Sequence, residues 1–199
     1  MQHTIDYYFA AQSPWAYLGH QRIWNLATQA GATLHVMPVD FGQVFAVSGG
    51  LPLGKRAPQR QQYRLLELAR FSQALNMPLN VEPQFFPVAG DDASRVIIAV
   101  NQQHGTQAAM AYTSAVFHAV WVQQRNIADA QVLTELLHEC GLEARCMANA
   151  QTPEVQAIYS HNTQRAIDAH LFGAPSYVVD GEMFWGQDRL DFVARKLGV

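Results

Sequence analysis

The chain has 199 residues, 49% of them hydrophobic and 15% charged, which suits one domain, or one domain with a large insertion, around a substantial buried core. Its formal net charge of −3 and its lack of Lys and Arg runs argue against nucleic acid or an anionic membrane as a partner, because both need a basic patch. Met1-Gln2-His3-Thr4 has no basic lead-in, and the apolar run behind it is too short for a signal peptide or a membrane span, so a cytoplasmic protein with small-molecule partners is expected.

Residues 4 to 9 form a short apolar run that reads as a strand. Behind Pro14, Ile23, Leu26, Ala27 and Ala30 fall at i, i+3, i+4 and i+7, which predicts a helix that Gly31 stops. Thr33 to Val39 alternates as a second strand, and the resulting β-α-β unit is expected to pair its strands in parallel. The Gly- and Pro-rich stretch from Gly42 to Arg60 reads as a loop of functional length. From there to about Asp168 the pattern is helical. The stripes are Leu65, Leu68, Phe71 and Leu75; Ala93, Val96, Ile97 and Val100; Met110, Phe117, Val120 and Trp121; and Val132, Leu133, Leu136 and Leu137. Asp91 or Asp92, Asp129 and Thr152-Pro153 are suited to start helices, and Gly141 to end one. Ser176 to Val179 and Met183 to Trp185 flank Asp180-Gly181, a strong two-residue hairpin signal, and Asp188 to Leu197 closes the chain as a helix with Leu190, Val193, Ala194 and Leu197 inward.

This order, β-α-β, a helical block, then β-β-α, predicts an α/β thioredoxin-like fold with a large all-helical insertion. Its parts are expected at residues 1–45 and 169–199, with the loop and helical insertion at 46–168. In such a fold a Cys-x-x-Cys pair would sit where Ser13-Pro14-Trp15-Ala16 stands. Serine holds the first cysteine position and alanine the second, so the site cannot form its own disulfide. The helix end still offers free N–H groups and a partial positive charge to an anion, and a thiolate there must come from outside. Cys140 and Cys146 lie far from this motif and read as reduced structural residues. The eight histidines lack ligand spacing, no His-Glu-x-x-His or Gly-rich phosphate motif occurs, and no metal site is expected.

Three segments together carry a family resemblance: Phe9 to Leu18, Pro52 to Arg64, and Phe172 to Tyr177 followed by Gly186-Gln187-Asp188-Arg189-Leu190. Over essentially its whole length the chain resembles the DsbA-like thioredoxin branch that holds kappa-class glutathione transferases and 2-hydroxychromene-2-carboxylate isomerases, and its middle segment is more similar to the isomerases. The resemblance implies glutathione as cofactor, a homodimer, and a chromene carboxylate or aromatic 2-oxo acid as substrate. The reaction it implies is the glutathione-dependent conversion of 2-hydroxychromene-2-carboxylate to trans-o-hydroxybenzylidenepyruvate in aromatic-compound catabolism. A kappa-like transferase is the nearest alternative, and a non-catalytic peptide-binding module is the alternative of another class.

Ser13 is the candidate catalytic residue, as hydroxyl partner of a bound glutathione thiolate. It is equally suited to cap the helix, and the two roles are compatible. No Gly-x-Ser-x-Gly elbow accompanies it, which argues against a covalent serine nucleophile. The resemblance implies a cis Ala174-Pro175 bond that frees the backbone of Ala174 for a glutathione strand, where an isolated X-Pro would read as an ordinary trans strand start. It also implies that Asp188, beside Gln187, receives the γ-glutamyl ammonium, although a helix cap is the plainer role of such an aspartate. Arg60 takes the place where kappa enzymes tend to carry a lysine before the equivalent of Tyr63, and is the candidate partner of the glycine carboxylate. Lys55, with Arg56 beside it, is a candidate for the substrate carboxylate. Trp15, Tyr63, Phe85 and Phe86 are candidates for an aromatic-binding wall, a role that competes with core packing.

Overall fold

Two parallel strands, β1 (Thr4–Phe9) and β2 (Thr33–Pro38), are joined by helix α1 (Pro14–Gln29), as the β-α-β pattern predicts. The computed structural model describes residues 2–199. The antiparallel hairpin β3 (Ser176–Val179) and β4 (Glu182–Trp185) completes a four-stranded sheet in the order β2-β1-β3-β4. Asp180 (φ 49°) and Gly181 (φ 86°) both turn through positive φ, which is what a two-residue hairpin needs.

Alternation along β1 sends Ile5, Tyr7 and Phe9 into the main core. Tyr8 points to a second cluster with Met37, Val39, Phe41 and Val44. Tyr7 stacks on Phe9 at 4.6 Å and on Tyr177 at 5.4 Å, tying β1 to β3. α1 and α8 (Leu190–Leu197) pack together beside the sheet, and α2 (Phe41–Ser48) packs with α7 (Pro153–Asp168) over the second cluster. The remaining helices are α3 (Pro58–Ala74), α4 (Asp91–Trp121), α5 (Ala130–Glu139) and α6 (Arg145–Asn149). Among the described residues, no helix is long and apolar enough to cross a membrane.

Three local expectations change. The segment from Gly42 to Arg60 is not one loop. Asp40 accepts the Gly42 N–H at 2.8 Å to start α2, Gly49 ends it at φ 74°, and a short 3-10 turn at Leu53–Lys55 precedes α3. Phe41 and Val44, on the inner face of α2, are buried. The two stripes around Val96 and Val120 lie, as expected, on two helical segments, which meet within α4 at a kink where Gly105 leaves helical geometry (φ 79°, ψ 177°). Gly90 occupies the cap position before that helix, so Asp91 and Asp92 act in its first turn. The closing helix starts at Leu190, behind a 3-10 turn at Gln187–Arg189, and its Ala194 is only half-buried. Asp129 and Thr152 do cap their helices, accepting from the N–H groups of Gln131 and Val155.

His20, on α1, is buried, with Nε2 2.9 Å from the Met110 carbonyl and Nδ1 3.3 Å from the Tyr7 hydroxyl. The carbonyl requires a donor at Nε2, so Nδ1 accepts from Tyr7 and the ring is neutral. Burial lowers its pKa to about 4; the Met110 carbonyl opposes the fall and His118 adds to it. Because the unfolded chain takes up this proton near pH 6.5, stability falls as pH drops from there towards 4, by roughly 3 kcal/mol from this group alone. Urea denaturation at a series of pH values is expected to show this loss in the wild type and a smaller loss in His20→Gln. Equal slopes in the two proteins would refute the assignment.

Candidate functional site

Ser13 caps α1 with non-helical backbone (φ −78°, ψ 122°), and its Oγ accepts the Ala16 N–H at 3.2 Å. That bond uses an oxygen lone pair and leaves the hydroxyl hydrogen free to donate. Pro14 at the first helical position has no N–H to satisfy, and no acidic side chain in the first turn offsets the positive helix end. Ser13 is buried to 9% exposure and lines a cavity of about 460 Å³. The walls of this cavity include Phe41, Phe45, Leu53, Phe86 and Val88.

A second cavity of about 650 Å³ adjoins it, and Trp15, Arg56, Arg64, Ala174 and Trp185 line both. The second cavity has the higher share of charged residues: Arg60, Glu67, Asp188 and Arg189 border it, together with Gln187, Tyr63 and Phe71. The cleft is therefore two lobes adjoining at a neck, one with an aromatic and aliphatic wall beside Ser13 and with Asp40 and Asp91 at its border, and one with a higher share of charged and amide side chains.

The Ala174-Pro175 bond is cis. The neighbouring backbone is occupied elsewhere, since Pro175 O accepts the Gly186 N–H at 2.9 Å and Gly173 O accepts the Ser176 hydroxyl at 2.7 Å. Among the described residues the N–H and C=O of Ala174 make no backbone hydrogen bond, so they remain open to an extended ligand. The indole of Trp185 lies over Gly173, where a side chain would collide with it, and meets Phe172 edge-on at 4.8 Å.

Gln187 is buried, and its carbonyl oxygens are both taken: Arg22 donates at 2.9 Å to the side-chain Oε1 and at 2.9 Å to the backbone O. Its Nε2 is buried without a partner, so what this amide offers a ligand is a donor. Asp188 makes no cap hydrogen bond; its Oδ2 accepts from Arg189 at 2.7 Å.

The structure brings Ser13, Trp15, Ala174, Gln187, Asp188, Arg60, Tyr63 and Phe86 to this double cleft. Lys55 is exposed and lines neither lobe, because it ends a 3-10 turn from which Arg56, not Lys55, faces the cleft. Phe85 also borders neither lobe and is 38% exposed. Cys140 and Cys146 are free thiols away from both lobes, and burial raises both pKa values, which suits inert structural residues. Sequence reasoning missed Arg64, Trp185, Phe41 and Phe45 as cleft residues; Trp185, next to the Gly186-Gln187-Asp188 segment, and Arg64, at the end of the Pro52 to Arg64 segment, carried usable signals.

A thioredoxin-like sheet whose first helix presents a capped, cysteine-free end to a ligand-sized cleft defines a thioredoxin-fold protein without its own redox pair. The chain belongs to the DSBA-like thioredoxin domain family, whose model matches residues 4–198. It is similar to proteins named 2-hydroxychromene-2-carboxylate isomerase from Pseudomonas putida, at 30% identity over 98% of this chain and 94% of that one, and from Sphingobium xenophagum, at 27% identity over 97% of each. A solved 2-hydroxychromene-2-carboxylate isomerase structure superposes with a TM-score of 0.82 at 26% identity, covering 98% of this chain and 94% of the other.

Gly19 sets the fit between α1 and the polar lobe. A Cβ there would lie 2.6 Å from the Tyr177 hydroxyl oxygen and 2.9 Å from the Gln187 Cβ, both fully buried. Gly19→Ala is expected to cost about 1–3 kcal/mol in urea denaturation through overpacking. A change of less than about 0.5 kcal/mol would show that this contact has slack.

Proposed function

We propose that the chain is a glutathione-dependent isomerase that converts 2-hydroxychromene-2-carboxylate to trans-o-hydroxybenzylidenepyruvate. The observation that carries this reading is a helix N-terminus capped by a hydroxyl, with no cysteine at the site, facing a lobe with an aromatic and aliphatic wall that is large enough for an aromatic acid. The names of the similar proteins support the substrate and the isomerase class of this reading.

The polar lobe fits glutathione on three counts. Ala174 has open backbone groups for the cysteinyl unit. Asp188 offers a carboxylate for the γ-glutamyl ammonium, while the orphaned Nε2 of Gln187 suits the adjoining carboxylate better than the ammonium. Arg60, which borders this lobe and makes no ion pair among the described residues, suits the glycine carboxylate.

When bound, glutathione supplies a thiolate whose reversible addition to the alkene of the ring-opened ketoacid lets that bond rotate. Ser13 donates its hydroxyl hydrogen to the sulfur, and the end of α1 adds a favourable partial charge, so both favour the ionised form. The two groups act before the substrate binds, which keeps the nucleophile ready at neutral pH. Phe41, Phe45, Phe86 and Val88 exclude water around the aromatic ring, and Trp15 and Trp185 flank the neck through which the two ligands meet.

The test follows the absorbance of the chromene substrate with and without glutathione, together with free thiol before and after turnover. Isomerisation that requires glutathione and leaves the thiol unchanged is expected. Consumption of thiol with substrate would instead make the protein a transferase, and turnover without glutathione would remove the cofactor. Ser13→Ala is expected to lower kcat about 10- to 100-fold while costing only about 1 kcal/mol of stability as a lost cap. Unaltered turnover in that variant would remove Ser13 from the chemistry.

A further inference from the structure

Arg64, on α3, stands at the neck and borders both lobes. Its guanidinium carbon lies 5.1 Å from the centre of the Phe86 ring and 5.8 Å from that of Trp121, and its Nη2 is buried with no hydrogen-bond partner. The Trp121 Nε1, at the same ring pair, is also buried without an acceptor. Burial, and then the charge of Arg56, lower the Arg64 pKa to about 10, and Arg56 is itself depressed by burial and by Arg60. Three cations therefore converge on one cleft. None of the three makes an ion pair among the described residues, and the acids that line the two lobes are engaged elsewhere: Glu67 by Arg70 at 2.6 Å, Asp40 by the Gly42 N–H at 2.8 Å, Asp91 by the Tyr159 hydroxyl at 2.9 Å and Asp188 by Arg189 at 2.7 Å.

Arg64 is half-buried with its Nη2 wholly so, and a charged donor shut away from water without a partner is unfavourable unless something anionic arrives to meet it. Stacking on aromatic faces holds the group flat and in place, but it leaves the donors along the guanidinium edge unused. Arg64 thus has the planar donor edge that matches a carboxylate, in an aromatic setting that matches a conjugated acid.

We propose that Arg64, with Arg56 beside it, binds the carboxylate of the aromatic acid substrate and so selects acids over their neutral analogues. This rests on the isomerase reading of the site and goes beyond it by assigning the substrate's charge to a named pair of residues. The acid enters carboxylate-first at the neck, with its ring in the lobe formed by Phe41, Phe45 and Phe86. Arg60, farther into the polar lobe, is left for glutathione. The pair takes over the role that the sequence had suggested for Lys55.

The test uses the intact protein with cinnamate and its uncharged methyl ester as unreactive probes, measured by calorimetric titration alongside glutathione. The wild type is expected to prefer cinnamate to methyl cinnamate by about tenfold or more, the worth of a hydrogen-bonded charge pair. Arg64→Gln is expected to lose this preference by weakening cinnamate alone, with the ester and glutathione unaffected, and Arg56→Gln, at a half-exposed position, to lose part of it. Equal cinnamate affinity in wild type and both variants would overturn the proposal. So would a fall in glutathione affinity in place of cinnamate affinity, since it would assign the pair to the cofactor. A wild type that binds cinnamate in this way but does not isomerise the chromene would refute the isomerase reading and leave the carboxylate site standing.

Discussion

The hydrogen bond from the Ala16 N–H to the Ser13 Oγ is the constraint around which the cleft is organised. It fixes the end of α1 and holds the hydroxyl at the lobe with the aromatic and aliphatic wall. With serine at position 13 and alanine at 16, the same helix end that activates a cysteine in a redox thioredoxin fold has no sulfur to activate. The positive helix end and the free hydroxyl hydrogen remain. Their natural complement is an anion delivered by a ligand, and the proposed function supplies it as a thiolate.

The charge distribution of the cleft follows the same logic. A cavity bordered by Arg56, Arg60 and Arg64, with its one nearby glutamate paired to Arg70, is set up for ligands carrying carboxylates. Asp188 is an acidic group of the polar lobe, as Asp40 and Asp91 are of the other, and an ammonium group is the ligand chemistry it matches. Under the proposed reading, glutathione and an aromatic acid divide these groups between them, with the two tryptophans at the neck where sulfur and alkene must meet.

The frame of the fold was legible because its signals are local. The alternation in Thr4–Phe9, the stripe of α1, the Asp180-Gly181 turn and the caps at Asp129 and Thr152 each lie within a few residues of what they determine. α2 was not legible, because its own C-terminal glycine makes the region look like a loop although Phe41 and Val44 bury one face of it. At the site, the cap at Ser13 was readable from its place before Pro14, whereas the cis bond before Pro175 was expected only from the family resemblance. The polarity of Gln187 was not readable, since it is set by Arg22, 165 positions away. Arg64 ended the Pro52 to Arg64 segment with no role of its own, because Phe86 and Trp121, which flank its guanidinium, come from other segments. Lys55 and Arg56 are adjacent in sequence, and only the 3-10 turn decides that the second faces the cleft.

The ionisation of glutathione's sulfur in the complex tests the central claim most directly. Titrating the ultraviolet absorbance of the thiolate with the protein in excess gives that pKa. A value about one unit or more below the free thiol's, near 8.5, is the expected result. A bound thiol that ionises at its free value, or glutathione that fails to bind, would contradict it.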